Sequence, residues 1–312
     1  MANLYSDGKL VVSEILAAEV GLKLAERGFF HNHPAVTYAG MAVGSATMKK
    51  DYIDAGAGNL ASTAENTAVT PDSYTFTRAS VSIAQHRMAR SVSDLLRYLT
   101  PTGVITDVDA FAADAASSYA TTLSSLLITA AQSFSGSVLP SGGSGTALDW
   151  ATIRDAKATL IANNAQFTDG EVVCVLHPTQ FADLEADAAS AGIGDAVSRS
   201  SEAQQIMAAN APLSGFRGTY FGIDFYTSTD VPTANAGADR SGFMATKGGL
   251  IWADALIQPS LANEREILID GGRLQIDFDR DSSKAMLNVY FQALYGASIA
   301  QDGCGVTIVS DA

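Results

Sequence analysis

The chain has 312 residues, and 19 Lys+Arg against 33 Asp+Glu leave a formal net charge of −14. That acidity excludes a protein that coats nucleic acid through a basic surface. A 47% apolar share with only 17% charged residues excludes intrinsic disorder.

The first apolar run, Leu10–Ala18, is broken by Glu14 and followed by Glu19, a poor core for a signal peptide. Apolar residues recur every three or four positions over Leu10–Arg27, which predicts an amphipathic helix ending at Gly28. From His31 to about Thr70 the chain is rich in Gly, Ala, Ser, Thr and Asn and has no helical period. Two short strand patterns, Ala35–Val43 and Tyr74–Ile83, flank that stretch. It therefore reads as a projecting two-stranded arm whose partner surface lies on another molecule. Tyr74 and Phe76 share one parity and Val81 and Ile83 the other, which predicts a bulge or twist near Arg78–Ser80. A short helix is expected over Val92–Leu99, capped by Ser91 and ended by Thr100-Pro101.

Thr106-Asp107-Val108-Asp109 reads as a helix start, and the spacing to Phe134 predicts one long helix over Val108–Phe134 with an Ala/Ser/Thr face. Ser135–Thr146 reads as a linker. Beyond it the pattern is α/β: a helix over Asp149–Asn163 burying Trp150, Ile153, Leu160 and Ile161, a strand Glu171–His177, and a helix opened by Pro178 through Ala189. A Gly-rich loop, Ala191–Gly194, precedes a helix over Ser201–Asn210. Strands follow at Phe216–Phe221, Ile223–Ser228 and Gly242–Trp252, and the tail from Ile267 is strand-like throughout: Ile267–Asp270, a Gly271-Gly272 turn, Arg273–Asp279, Ala285–Ala297 and Val306–Val309. No run approaches the ~18 consecutive apolar residues of a membrane span.

Chemical motifs mostly fail on context. Gly56–Ala61 matches GxGxxA but follows Lys49–Asp54, a poor strand for a dinucleotide fold. No GxxxxGK[ST] loop and no GxSxG elbow occurs. His31 and His33 alternate, yet two imidazoles do not make a metal site, and His31-Asn32-His33 reads as a polar exit from the first helix. Asp277, Asp279 and Asp281 have calcium-loop spacing, but Ser282 stands where Gly is needed and Asn288 where a bidentate Glu is needed. They read as the solvated face of a strand, with calcium at a subunit junction as the other reading. Cys174 reads as a small core residue, and Cys174 and Cys304, far apart and without CxxC company, fit a reducing, cytoplasmic folding environment. Arg78, Arg87, Arg90 and Arg97, with His86, form a basic cluster in an Arg-poor chain, more readily paired with carboxylates, those of a neighbouring subunit among them, than with nucleic acid.

The order of parts resembles the HK97-fold major capsid proteins of tailed bacteriophages. Thr67–Thr77 (TAVTPDSYTFT) looks like the family's descending extended-loop strand. Leu148–Lys157 (LDWATIRDAK) followed by Glu171–Phe181 (EVVCVLHPTQF) looks like the helix–strand–Pro–helix of its axial domain, and Ala293–Ala297 like its peripheral return. The resemblance implies an α+β fold with an N-terminal arm (1–34), an extended loop (35–85), a spine-helix peripheral domain (86–147), an α/β axial domain (148–254) and peripheral return strands (255–312).

It implies a structural protein, not an enzyme, that self-assembles into hexamers and pentamers of an icosahedral shell around double-stranded DNA. The shell forms in the host cytoplasm and ends as part of the virion. The implied partners are further copies of the chain, a portal protein, a separate scaffolding protein and a decoration or cement protein. Packaged DNA is held without sequence-specific contacts, and no membrane, cofactor or metal is involved. The predicted helix and arm begin near residue 10, leaving no room for a cleaved scaffolding segment, so a separate scaffold, or none, is expected. The candidate inter-subunit residues are Lys49, Lys50, Arg78, Arg87, Arg90, Arg97, Glu264 and Glu266. Lys49 and Lys50 are the only loop lysines, and no Asn or Glu matches the crosslinking partners some relatives use. An encapsulin-like compartment shell has the same fold. From another class, an acidic α/β hydrolase or ligand-binding domain accounts for Glu171–Ala189 alone. In a shell, much surface becomes interface, and interface cores are depleted in charge, which suits the low charge and the 52 alanines.

Overall fold

A computed structural model describes residues 33–42, 45–53, 76–93, 103–163, 171–190, 215–257, 266–269 and 274–311. The helices expected over Leu10–Arg27 and Ser201–Asn210, the Gly56–Ala61 and Ala191–Gly194 loops, His31, Arg97, Thr100-Pro101, Glu264 and the Gly271-Gly272 turn lie outside them.

Most of the described chain belongs to two sheets. The first has six strands: β1 (Val36–Ala42), β4 (Ala84–Ser93), β11 (Leu250–Ala255), β12 (Glu266–Ile269), β13 (Leu274–Asp281) and β14 (Met286–Ile299). β14 is its axis. Its Tyr295 pairs with Ala84 of β4 on one side and with Asp254 of β11 on the other, so β11 and β13 follow one another along a single edge of β14. β1 runs parallel to β11. The arm is a separate two-stranded sheet, β2 (Thr47–Ile53) against β3 (Phe76–Ser82).

The second sheet has seven strands. β5 (Ser137–Val138), β15 (Gly305–Asp311), β10 (Asp239–Thr246), β6 (Val172–Leu176), β8 (Ile223–Thr227) and β7 (Phe216–Tyr220) follow in spatial order, with β9 (Thr233–Ala234) on β10. One face carries α2 (Trp150–Ala162) and α3 (Pro178–Ser190), packed through Leu148, Ile153, Leu160, Phe181 and Leu184 against Cys174, Leu176 and Met244. On the other face Val173, Val175, Phe243 and Ala245 share a core with Leu123, Leu127 and Ile128 of α1 (Gly103–Ala131). That same core takes Leu274, Ile276, Val289, Phe291 and Ala293 from the six-stranded sheet, so α1 joins the two sheets. Its 29 residues span ~43 Å.

Local chemistry explains several boundaries. Asp149 caps α2 by accepting from the Thr152 amide at 2.7 Å, a bond worth ~1 kcal/mol. Pro178 opens α3, where its missing N–H costs nothing.

Five expectations are corrected. The ascending arm strand is β2, not Ala35–Val43, whose residues Val36–Ala42 pair with β11 instead. The β2–β3 ladder runs unbroken from Thr47↔Ser82 to Ile53↔Phe76, with no bulge near Arg78–Ser80; Phe76 simply faces outward. Ser91 and Val92 are ladder residues of β4, opposite Asn288 and Leu287, not a cap and a helix start. The expected strand Gly242–Trp252 is two strands in two sheets, separated by a turn at Lys247–Gly249. Ile161 lies on the exposed side of α2, 52% accessible.

Candidate assembly surfaces

The arm shows how one ribbon acquires an inner and an outer side. Ala79 and Val81 point inward and pack with Ile251, Ala253 and Ala300 at the arm's root, joined by Met48 and Tyr52. Phe76, Arg78, Ser80 and Ser82 point outward, and the Phe76 ring is 63% accessible. Arg78 donates to both carboxylate oxygens of Asp51 on the paired strand, at 2.6 and 2.9 Å. That guanidinium holds the Asp51 carboxyl below its ordinary range. Lys49 is exposed, and Lys50 places its ammonium 5.5 Å from the centre of the Tyr52 ring. The root is close-packed: a Cβ at Gly296 would stand 2.0 Å from the Ser82 carbonyl oxygen.

The basic cluster is dispersed by strand alternation. On β4, His86, Met88 and Arg90 face α1, whereas Arg87 faces away. Arg90 donates to Asp114 of α1 at 2.5 Å, and Arg87 to Gln292 of β14 at 3.0 Å. Thus Arg78 and Arg90 find carboxylates on their own chain. His86 stacks on Tyr295 with ring centres 4.2 Å apart. Glu266 opens β12 opposite Asp277.

The face of the six-stranded sheet turned away from α1 is polar. It carries Arg87 on β4, Asn288, Tyr290 and Gln292 on β14, and Asp277, Asp279 and Asp281 on β13, in one continuous register. Tyr290, at its centre, is 42% accessible. The three aspartates therefore lie on a solvated strand face, and Asp281 accepts from the Ser283 and Lys284 amides in the following turn.

Other singled-out residues have structural roles. His33 is buried; its Nδ1 accepts from the Ala35 amide at 3.1 Å, leaving Nε2–H to donate to Asp224 at 2.8 Å. That bond ties the entry to β1 to β8 of the other sheet. Cys174 sits in the centre of β6, and burial pushes its thiol pKa up, away from reactivity. Among the described residues no three His, Cys, Asp or Glu side chains converge as a metal site, and no helix is long and apolar enough to cross a membrane. The outward aromatics Phe76, Tyr290 and Phe221 were absent from the sequence-derived candidates; parity within the strands was the signal for the first two.

No family model and no curated protein matches the sequence. Solved structures do match it over nearly its whole length. The capsid of Ralstonia phage GP4 superposes with a TM-score of 0.61 at 13% identity, covering 92% of this chain and 90% of that one. The capsid of cyanophage Pam1 gives 0.58 at 14% identity, covering 92% of each chain. The holo-SrpI encapsulin complex from Synechococcus elongatus PCC 7942 gives 0.52 at 12% identity, over 88% of this chain and 84% of that one. Likeness of this extent carries the fold, and the chain has the HK97-like capsid fold.

Proposed function

We propose that the chain is a structural shell subunit, the major capsid protein of a tailed bacteriophage, assembling as hexamers and pentamers around double-stranded DNA. The observation that carries this reading is the arm: a two-stranded ribbon that, among the described residues, pairs only with itself and turns an accessible Phe76 outward. In a monomer that surface serves no fold. In a shell it lies over a neighbour's peripheral domain. The peripheral domain is built on α1 and the six-stranded sheet, which takes β11 from the expected 148–254 axial span, and the axial domain on the seven-stranded sheet, which takes β15 from the expected 255–312 return. Lys49, Lys50, Arg78, Arg87, Arg90, Arg97, Glu264 and Glu266 belong to the proposed contacts, with Arg78 and Arg90 contributing as own-chain ion pairs. A portal, a scaffold and a decoration protein complete the proposed set of partners, and the virion is the proposed location.

The test is the size of the purified full-length chain by sedimentation and negative-stain microscopy. Closed particles or capsomers are expected; a sharp monomer at micromolar concentration under assembly conditions overturns the reading. The likeness to the encapsulin shell supports a second reading, a compartment that encloses protein cargo. The contents of native particles, DNA or protein, separate the two.

A further inference from the structure

The hairpin between β7 and β8 breaks a local rule. Tyr220 and Ile223 pair across a two-residue loop, Phe221-Gly222, in which both residues have positive φ, 55° and 78°. Such a turn selects Asn-Gly or Gly-Gly, because a bulky side chain is strained in the left-handed region. Phe221 accepts that strain and buries little in return. Its ring meets the Trp150 indole edge-on, with centres 5.6 Å apart, and 62% of the residue stays accessible. Local strain that gives the monomer so little packing is characteristic of a residue kept for a contact.

The surroundings say what kind of contact. Trp150, Arg154, Lys157 and Ile161 follow one another along α2 at helical spacing, so they form a single stripe. Lys157 donates to the Phe221 carbonyl at 3.0 Å, which places the hairpin tip beside that stripe. Ile161, accessible like Phe221, adds a second apolar group, and Arg154 and Lys157 outnumber the one carboxylate beside them, Asp155, 3.4 Å from Arg154, so the rim stays basic in a chain of net charge −14. Two such patches face to face would oppose like charges, so two-fold self-pairing is disfavoured. A contact onto a different surface is head-to-tail, the kind that closes into rings.

We propose that Phe221 is an inter-subunit anchor that seats on the outer strip of α3 of a second copy of this chain. Ala182, Glu185 and Ala186 are exposed there at the i, i+3 and i+4 positions of one helix surface. The alanines let a ring lie flat, and Glu185 answers the basic rim. This inference rests on the shell reading and names one of its contacts.

The test compares the full-length chain with Phe221→Asn by light scattering and sedimentation across a concentration series. Asn suits the turn, so the unassembled variant keeps or raises its thermal midpoint, while its assembly threshold rises tenfold or more. A threshold equal to that of the wild type overturns the anchor. Lys157→Glu and Glu185→Lys are each expected to raise the threshold, and the double variant to restore it; failure of the double variant overturns the placement on α3. A wild-type chain that never assembles overturns the shell reading itself, an outcome distinct from a variant that assembles normally.

Discussion

Strands β6 and β3 are both short and apolar in part, yet they answer to different neighbours. All five residues of β6 are buried: Val173 and Val175 on the α1 side, Val172, Cys174 and Leu176 on the side of α2 and α3. Of the seven residues of β3 only Ala79 and Val81 are buried. A continuous apolar run marks a strand whose two faces are covered by its own chain. Alternation ending in an accessible Phe76 marks a strand with one face that the chain leaves uncovered. The α/β lobe is thus completed by folding, whereas in the proposed function the arm offers its open face to association. Substitutions in the two regions should separate these processes.

The largest effect belongs to the lobe. Phe243 is fully buried between β10 and α1, and Phe243→Ala is expected to cost ~3–5 kcal/mol in equilibrium denaturation. A much smaller loss would mean that the two sheets do not share one core. Next comes the tie between the two sheets. Burial would raise the Asp224 carboxyl pKa, but hydrogen bonds from His33 and Thr219 outweigh it and hold the group below its ordinary value. A carboxylate depressed by folding stabilises at pH values above its unfolded pKa, ~3.9, and that stability is lost as pH falls through the lower folded value. His33→Ala should therefore cost ~1.5–3 kcal/mol at neutral pH and show a shallower loss of stability than the wild type below pH ~4. Parallel denaturation curves for the two proteins across that acid range would break the assignment.

At the boundary between the regions stands Gly296. Its added Cβ would meet the Ser82 backbone oxygen at 2.0 Å, so Gly296→Ala must lift the root of the arm off β14. A loss of ~1–3 kcal/mol is expected, of the size that overpacking produces. Limited proteolysis should cut first near Ser82–Ala84, with the seven-stranded sheet intact. Cleavage starting in the lobe would contradict the division.

The lobe was legible in the sequence because its signals are local. Asp149 as cap, Pro178 at a first turn and the run Val172–Leu176 each state their own structure. What the sequence hid depends on distant partners. Lys49-Lys50-Asp51 looks too charged for a strand, but a ribbon needs only one inward side, supplied here by Met48 and Tyr52. Ser91 and Val92 suit a helix start until β14 offers a ladder. Apolar residues on both sides of Lys247–Gly249 masked the passage between sheets; the Gly248-Gly249 pair, with Gly248 at φ 89°, was its local mark. Of the candidate contacts, Lys49, Lys50 and Arg78 do fall on the arm; Phe76 was marked only by its parity with outward Arg78, and Phe221, in a turn, had no such mark.

The smallest effects on folding belong to the arm's outer side, and there the comparison is sharpest. Arg78 and Asp51 are both about half accessible, so their bidentate pair is exposed to water and salt. Arg78→Ala is expected to leave the thermal midpoint unchanged. Phe76→Ser should do the same, since most of the ring already meets solvent. Association is another matter: burying a Phe side chain is worth ~1.5–3 kcal/mol, and every ~1.4 kcal/mol is a factor of ten in concentration. Phe76→Ser should therefore raise the assembly threshold about tenfold or more while denaturation curves overlay those of the wild type. If instead the variant unfolds earlier and assembles as before, the ring serves the chain's own fold, and the arm is no more outward-looking than β6.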